Sequence, residues 1–153
     1  MYSKILVPVD GSTPSNLGLA EAIKLARLCG ARLRLLHVVD MMSFASFPNA
    51  GVGLTPEVFD LLHQGGQEIL AKARATVEAA GLLVETQLSE GFASRVCDVV
   101  ITEARDSGAE LIVLGTHGRR GIGRALLGSD AELILRQAPV PVLLVRAPDP
   151  AAT

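Results

Sequence analysis

The stretch "VLGTHGRRGIGRALLGSDAE", residues 113–132, gathers five glycines, three arginines and one histidine behind a short apolar run. Glycine weakens regular structure, so this density needs a reason. Gly115 and Gly118 would let backbone N–H groups turn inward and meet an anion at close range. Gly128 and Ser129 would open a helix whose free N–H groups and positive dipole end aim at the same anion. The Ser129 hydroxyl adds a donor, and Arg119, Arg120 and Arg124 add positive charge. Each device can hold phosphate. Each also has a plainer reading. Glycine-rich loops join strands to helices without a ligand, Ser129 can be only a cap, the arginines can be a solvated face, and His117 can be a loop histidine without a role.

Other chemistries fit less well. No lysine follows Lys72, so the P-loop pattern GxxxxGK[ST] is absent. The pair Gly121 and Gly123 lacks the third glycine of a dinucleotide fingerprint. Candidate bases near the stretch are Asp10 and His117, and neither has a partner visible in sequence. Asp10 suits a ligand-orienting or turn-capping role in "DGS". His37 lies inside an apolar strand pattern and reads as a packed or edge histidine. His63 has no ligand at metal spacing, so a Cys/His metal site is not supported. Aromatic residues make up 3% of the chain, too few to stack a flavin ring.

The elements that must position these residues follow a rhythm. "KILVPV" (4–9) reads as a strand covered on both faces. Ser12 or Thr13 then caps a helix with Pro14 in its first turn. That helix, read over Leu17–Cys29, carries polar residues only at every third position and is expected to be buried over most of its girth, with Gly30 ending it. "LRLLHVVD" (33–40) is a second strand, and residues 41–54 read as a long, mobile loop. Thr55 and Pro56 start a second helix with Val58, Leu61, Leu62, Ile69, Leu70, Ala73 and Val77 on one face, and Gly81 stops it. "LLVETQL" (82–88) alternates like an edge strand. A third helix is expected from Ala93 to Arg105, and "LIVLG" (111–115) is another buried strand. Ser129-x-x-Glu132 reads as a capping box opening a fourth helix over 129–138. "VPVLLVR" (140–146) is the last strand.

Strands alternating with helices predict an α/β fold, an open five-stranded parallel sheet of order 3-2-1-4-5 with helices on both faces, Rossmann-like. Ligands of such sheets bind beyond the carboxyl ends of the strands, where the order reverses. Here that point lies between the first and fourth strands. Val9, Asp10 and Gly11 leave one; Gly115, Thr116, His117 and Gly118 leave the other. The glycine stretch thus begins at the expected crevice.

Bulk properties set the frame. The length predicts a single domain over residues 1–147 and a frayed tail over 148–153. A net charge of −2 offers no general attraction to nucleic acid or an anionic membrane. Cys29 and Cys97 sit in apolar helical patterns and read as buried free thiols rather than a disulfide framework. No apolar run is long enough to span a membrane, and "MYSKILVPVDGS" meets an acid too early for a secretory signal. The expected location is the cytoplasm.

With these residues placed, the chain resembles the universal stress protein family. Gly115-x2-Gly118-x9-Gly128-Ser129 has the spacing of that family's ATP-binding motif. "KILVPVDGS", "LLHVVD" and "APVPVLLVR" look like its opening, second and final strands, so the resemblance spans the chain. It implies ATP as ligand, with adenine near Pro8, Val9, Asp10 and Val38. Val38 would give backbone hydrogen bonds to the base, and Asp10 would face base and ribose. Ribose and phosphates would lie along Gly115, Thr116, His117, Gly118, Arg119, Arg120, Gly121, Gly128 and Ser129, with Asp130 and Ala131 just beyond. It also implies a homodimer through the last strands. Residues 140–146 would otherwise leave an exposed apolar edge.

Asp130 departs from the family's pattern, which has a small uncharged residue there. An acid in a helix's first turn suits the dipole, but beside a triphosphate it repels. Two charges ~4 Å apart interact by about 4 kcal/mol at an effective dielectric of ~20. A Mg²⁺ ion between them would invert the sign. The functional expectation is a nucleotide-responsive regulatory protein whose state an unknown protein partner reads. A slow ATPase or nucleotidyl transferase, and a dimeric module without nucleotide, are the alternatives. The missing base and lysine weigh against the former, and the complete glycine motif against the latter.

Overall fold

The computed structural model describes residues 1–41, 55–91, 94–116 and 128–146. Its elements run β1 (Lys4–Pro8), α1 (Thr13–Cys29), β2 (Arg32–Asp40), α2 (Pro56–Ala79), β3 (Val84–Gly91), α3 (Val96–Asp106), β4 (Leu111–Gly115), α4 (Ser129–Gln137) and β5 (Val142–Val145). The five strands form one parallel sheet of order β3-β2-β1-β4-β5, as the alternation of strand and helix predicts. Ile5 and Leu6 of β1 pair with Leu111 and Ile112 of β4, so these two apolar runs hold the centre.

The pleat of β1 divides the core. Ile5, Val7 and Val9 face α1 and α2, among Leu19, Ile23, Leu70 and Val77. Leu6 faces the other side, with Leu36, Cys97, Val100, Ile112 and Ile134. A strand covered on both faces must be apolar throughout, which is why "KILVP" shows no alternation. Strand β3 at the sheet edge does alternate, and most of it is half-buried. Its Glu85 and Gln87 meet Arg34 of β2 at 3.1 and 3.3 Å, and Glu103 of α3 closes that group at 2.6 Å from Arg34 Nε.

Helix termini follow local chemistry in most places. Ser12 Oγ caps α1 by accepting from the Ser15 N–H at 3.2 Å, and Gly30 closes the helix at φ 68°. Thr55 caps α2, and Gly81 follows it at φ 77°. Four expectations need correction. Helix α1 starts behind the Ser12 cap as expected, but it is buried on one face only, at Ser15, Gly18, Leu19, Ala22, Ile23 and Ala26; Leu28 stands 79% exposed. On α2, Leu61 leaves the apolar face and is 68% exposed. Helix α3 begins at Val96, with Arg95 as its cap residue. Ser129 is not a cap, because Gly128 takes that place in extended geometry and α4 has no side-chain cap bond. Glu132 pairs instead with Arg136 at 2.8 Å, one helical turn on. The expected mobile loop beyond Met41, Ala93 itself and the frayed tail lie outside the described residues. Met41 itself is buried.

Both cysteines are free thiols; Cys97 is buried and Cys29 only partly so. Among the described residues, no helix is long and apolar enough to cross a membrane.

Candidate functional site

The chain runs outward from β1 to β2 and β3, then crosses to β4 and β5, so the order reverses between β1 and β4. What leaves the carboxyl ends of these two strands builds the candidate site.

Beyond β1, a short run of polar residues locks the turn into α1. Asp10 Oδ1 accepts from the Ser12 N–H at 2.9 Å, and the Asp10 N–H donates to Ser15 Oγ at 3.1 Å. Gly11 sits between them at φ 77°, where a side chain would be strained. Asp10 therefore does cap its own turn, as the "DGS" triplet suggests.

Helix α1 then presses its first turn onto the end of β4. A Cβ added to Gly115 would overlap the backbone carbonyl of Pro14, and one added to Gly18 would lie 3.0 Å from the Gly115 nitrogen. The first motif glycine thus has a packing reason that the sequence did not reveal. It lets two backbones touch, and so brings the Asp10–Ser15 turn to the end of β4.

Past Gly115 the strand is anchored by the Thr116 N–H, which donates to the Val145 carbonyl at 3.0 Å. The chain leaves the described residues after Thr116 and re-enters at Gly128. There the Gly128 N–H donates to the Thr116 carbonyl at 3.1 Å. That bond brings both ends of the glycine motif together. Among the described residues, a Cβ on Gly128 would meet the Thr116 carbonyl oxygen alone, at 3.6 Å. Helix α4 starts at Ser129, so the N–H groups of Ser129, Asp130 and Ala131 fall in the first turn, where no intrahelical acceptor exists. They form a positive pole for an anion. His117, Gly118, Arg119, Arg120 and Gly121 lie outside the described residues.

Asp130 and the β2 end complete the surroundings. Burial first, then the carboxylates of Asp98 and Asp130, push the Cys97 thiol up. Asp130 is thus within electrostatic reach of α3, and Cys97 is held as an inert thiol. On β2, Val38 stays paired with Ser89 of β3 while the pairing with β1 ends at Pro8 and Leu36. Even-numbered residues of β2 turn their N–H and C=O toward β1 in this register. Val38 therefore presents both groups past the end of the β1 ladder, next to Val9 and Asp10. His37 is buried, with Nδ1 2.7 Å from the Val9 carbonyl oxygen. The sequence reads it as a packed or edge histidine; it is packed, and only the register shows how close it stands to the site. Among the described residues, no group of three His, Cys, Asp or Glu side chains is placed to hold a metal ion.

Comparison with known proteins gives a consistent answer. The profile of the universal stress protein family matches residues 1–146. Universal stress protein MJ0531 of Methanocaldococcus jannaschii is 35% identical over 148 residues, covering 97% of this chain and 84% of that protein. The crystal structure of a family protein from Burkholderia pseudomallei superimposes with a TM-score of 0.74 at 32% identity, covering 95% of this chain and 97% of that one. A universal stress protein solved in complex with cAMP gives a TM-score of 0.67 at 25% identity, covering 94% and 97%.

Proposed function

The chain belongs to the universal stress protein family, and from that premise we propose that it binds ATP at the β1/β4 switch point and acts as a nucleotide-responsive regulatory protein. The observation that carries this reading is the bond from the Gly128 N–H to the Thr116 carbonyl. It sets the first turn of α4, with its free N–H groups, beside the end of β4. Support comes also from the bare Val38 backbone next to Val9 and Asp10, which suits the edge of a base, and from the relative solved with cAMP.

In this reading adenine lies against Pro8, Val9 and Val38, with Asp10 toward the ribose. Phosphates follow Gly115 and Thr116 to the N–H groups of Gly118, Ser129, Asp130 and Ala131. Ribose and phosphates would also run along His117, Arg119, Arg120 and Gly121, which lie outside the described residues. A Mg²⁺ ion would offset the Asp130 charge. Asp10 is tied into its turn by the Ser12 N–H, which suits an orienting carboxylate, so the proposal is binding and signalling rather than rapid turnover. The setting is the cytoplasm. Among the described residues, strand β5 pairs with β4 alone and is half-buried along its length. A second copy adding its own β5 would cover that edge.

The test is to denature freshly purified protein, chromatograph what is released, and titrate the stripped protein with ATP. Released adenine nucleotide or micromolar binding supports the reading; the absence of both defeats it.

A further inference from the structure

Why the β1–β2 ladder stops where it does has a specific answer. With Pro8 opposite Leu36, the Val9 N–H donates to the Leu36 carbonyl at 2.8 Å. The next bond of a parallel ladder would run from the Val38 N–H to the Val9 carbonyl. The pairing ends one step short of it. The Val9 carbonyl lies instead 2.7 Å from His37 Nδ1. A carbonyl only accepts, so Nδ1 carries the proton whatever the charge of the ring.

The ring is held in that position. It is 8% exposed, beneath α2. A Cβ on Gly66 would come within 2.7 Å of His37 Cδ2 and 2.8 Å of Leu88 Cδ1. Glycine inside a helix is unfavourable, and here its missing side chain makes the space the imidazole fills. Among the described residues its neighbour Gly65 faces nothing within 4 Å, so the close contact is particular to Gly66.

We propose that His37 is a positioning residue. By occupying the Val9 carbonyl it ends the ladder and keeps the Val38 N–H and C=O as an unpaired edge. A flat base that offers a ring-nitrogen acceptor beside an amino donor can pair with that edge. The inference rests on the nucleotide reading above and adds what keeps the base subsite from zipping shut as sheet.

The test is amide hydrogen exchange in ligand-free protein, followed by NMR, with ATP titration alongside. In the wild type the Val38 amide exchanges faster than that of Leu36, which lies within the ladder. In His37→Leu the ladder gains its next bond. Val38 exchange then slows about two- to tenfold, the range one net backbone hydrogen bond confers. Leu36 is unchanged, and ATP affinity falls about tenfold with the loss of the base edge. His37→Asn places an amide N–H near the Nδ1 position and keeps the wild-type pattern. Gly66→Ala leaves the imidazole in the sequence but displaces it, and reproduces the leucine result. A wild-type Val38 amide as slow as Leu36 overturns the proposal, as does Val38 exchange unchanged in both His37→Leu and Gly66→Ala. Failure of the wild type to bind ATP would count against the proposed function alone, because the exchange pattern is read without ligand.

Discussion

Gly115→Ala should destabilise the protein in the absence of any nucleotide. The added Cβ meets the Pro14 backbone carbonyl, and neither partner is a flexible side chain that can swing away. Relief requires α1 to lift from β4 at its first turn. Overpacking a tight contact costs about 3 kcal/mol at the upper end of the usual range. Replacing glycine by alanine returns about 0.5–1 kcal/mol by restricting the unfolded chain. The net loss is about 2 kcal/mol, a drop of roughly 4–8 °C in Tm for a chain of this size. Gly128 is the control. Among the described residues its Cβ position touches the Thr116 carbonyl oxygen alone, at 3.6 Å, and it caps α4 in extended geometry. Gly128→Ser places a better capping side chain there and should raise stability by a few tenths of a kcal/mol. Thermal unfolding of stripped protein, followed by circular dichroism, reads both. A Gly115→Ala protein that melts with the wild type would show that α1 does not bear on β4 as described, and that the glycine serves the ligand alone.

Gly65→Ala should stabilise by about 1 kcal/mol, because no described residue lies within 4 Å of the added Cβ and the site is within a helix; a lower Tm would count against it. Acid should weaken the Arg34 cluster. Burial alone raises the Glu85 carboxyl, but Arg34, Lys4 and Arg32 outweigh it and hold the group below its usual range. A depressed carboxylate stabilises above its unfolded pKa, about 4.3, and that support is lost as pH falls through the lower folded value. Arg34→Met should therefore flatten the acid limb of the Tm–pH curve, and an unchanged limb would refute the linkage. Asp130→Asn removes a charge near the first turn of α4. At ~8 Å from a phosphate and effective dielectrics of ~20 to ~80, that charge is worth about 0.5–2 kcal/mol. Metal-free ATP should bind two- to thirtyfold tighter, and the Cys97 thiol should titrate lower; unchanged or weaker ATP binding argues against repulsion.

Signals carried by neighbouring residues were legible in the sequence. "KILVP" and "LIVLG" are continuous apolar runs because both faces of central strands are covered. Thr55-Pro56 and Gly81 mark the limits of α2 because capping and positive φ are decided within a few residues. Signals that depend on distant contacts were not. Ser129-x-x-Glu132 has the letters of a capping box, but the link from Gly128 to Thr116 pulls the cap one residue back. Gly115 looked like a ligand glycine, and its contact with Pro14 needs the fold to be seen. His37 looked like filler, since nothing local reports that its ring takes the carbonyl where the β1 ladder ends. Leu28 and Leu61 break their helical patterns because apolar residues need not be covered merely for being apolar. At the candidate site, the bond from the Gly128 N–H to the Thr116 carbonyl joins residues twelve apart that no local signal links, and Asp130 lies in reach of Cys97 as well.

The central claim is that the two ends of the glycine motif form an adenine-nucleotide site at the switch point. Calorimetric titration of stripped protein with ATP, with and without Mg²⁺, tests it most directly. The account predicts micromolar binding that is tighter with Mg²⁺, since the ion offsets Asp130. No detectable binding under either condition would contradict it, and would leave Gly115 and the Thr116–Gly128 bond as parts of the scaffold alone.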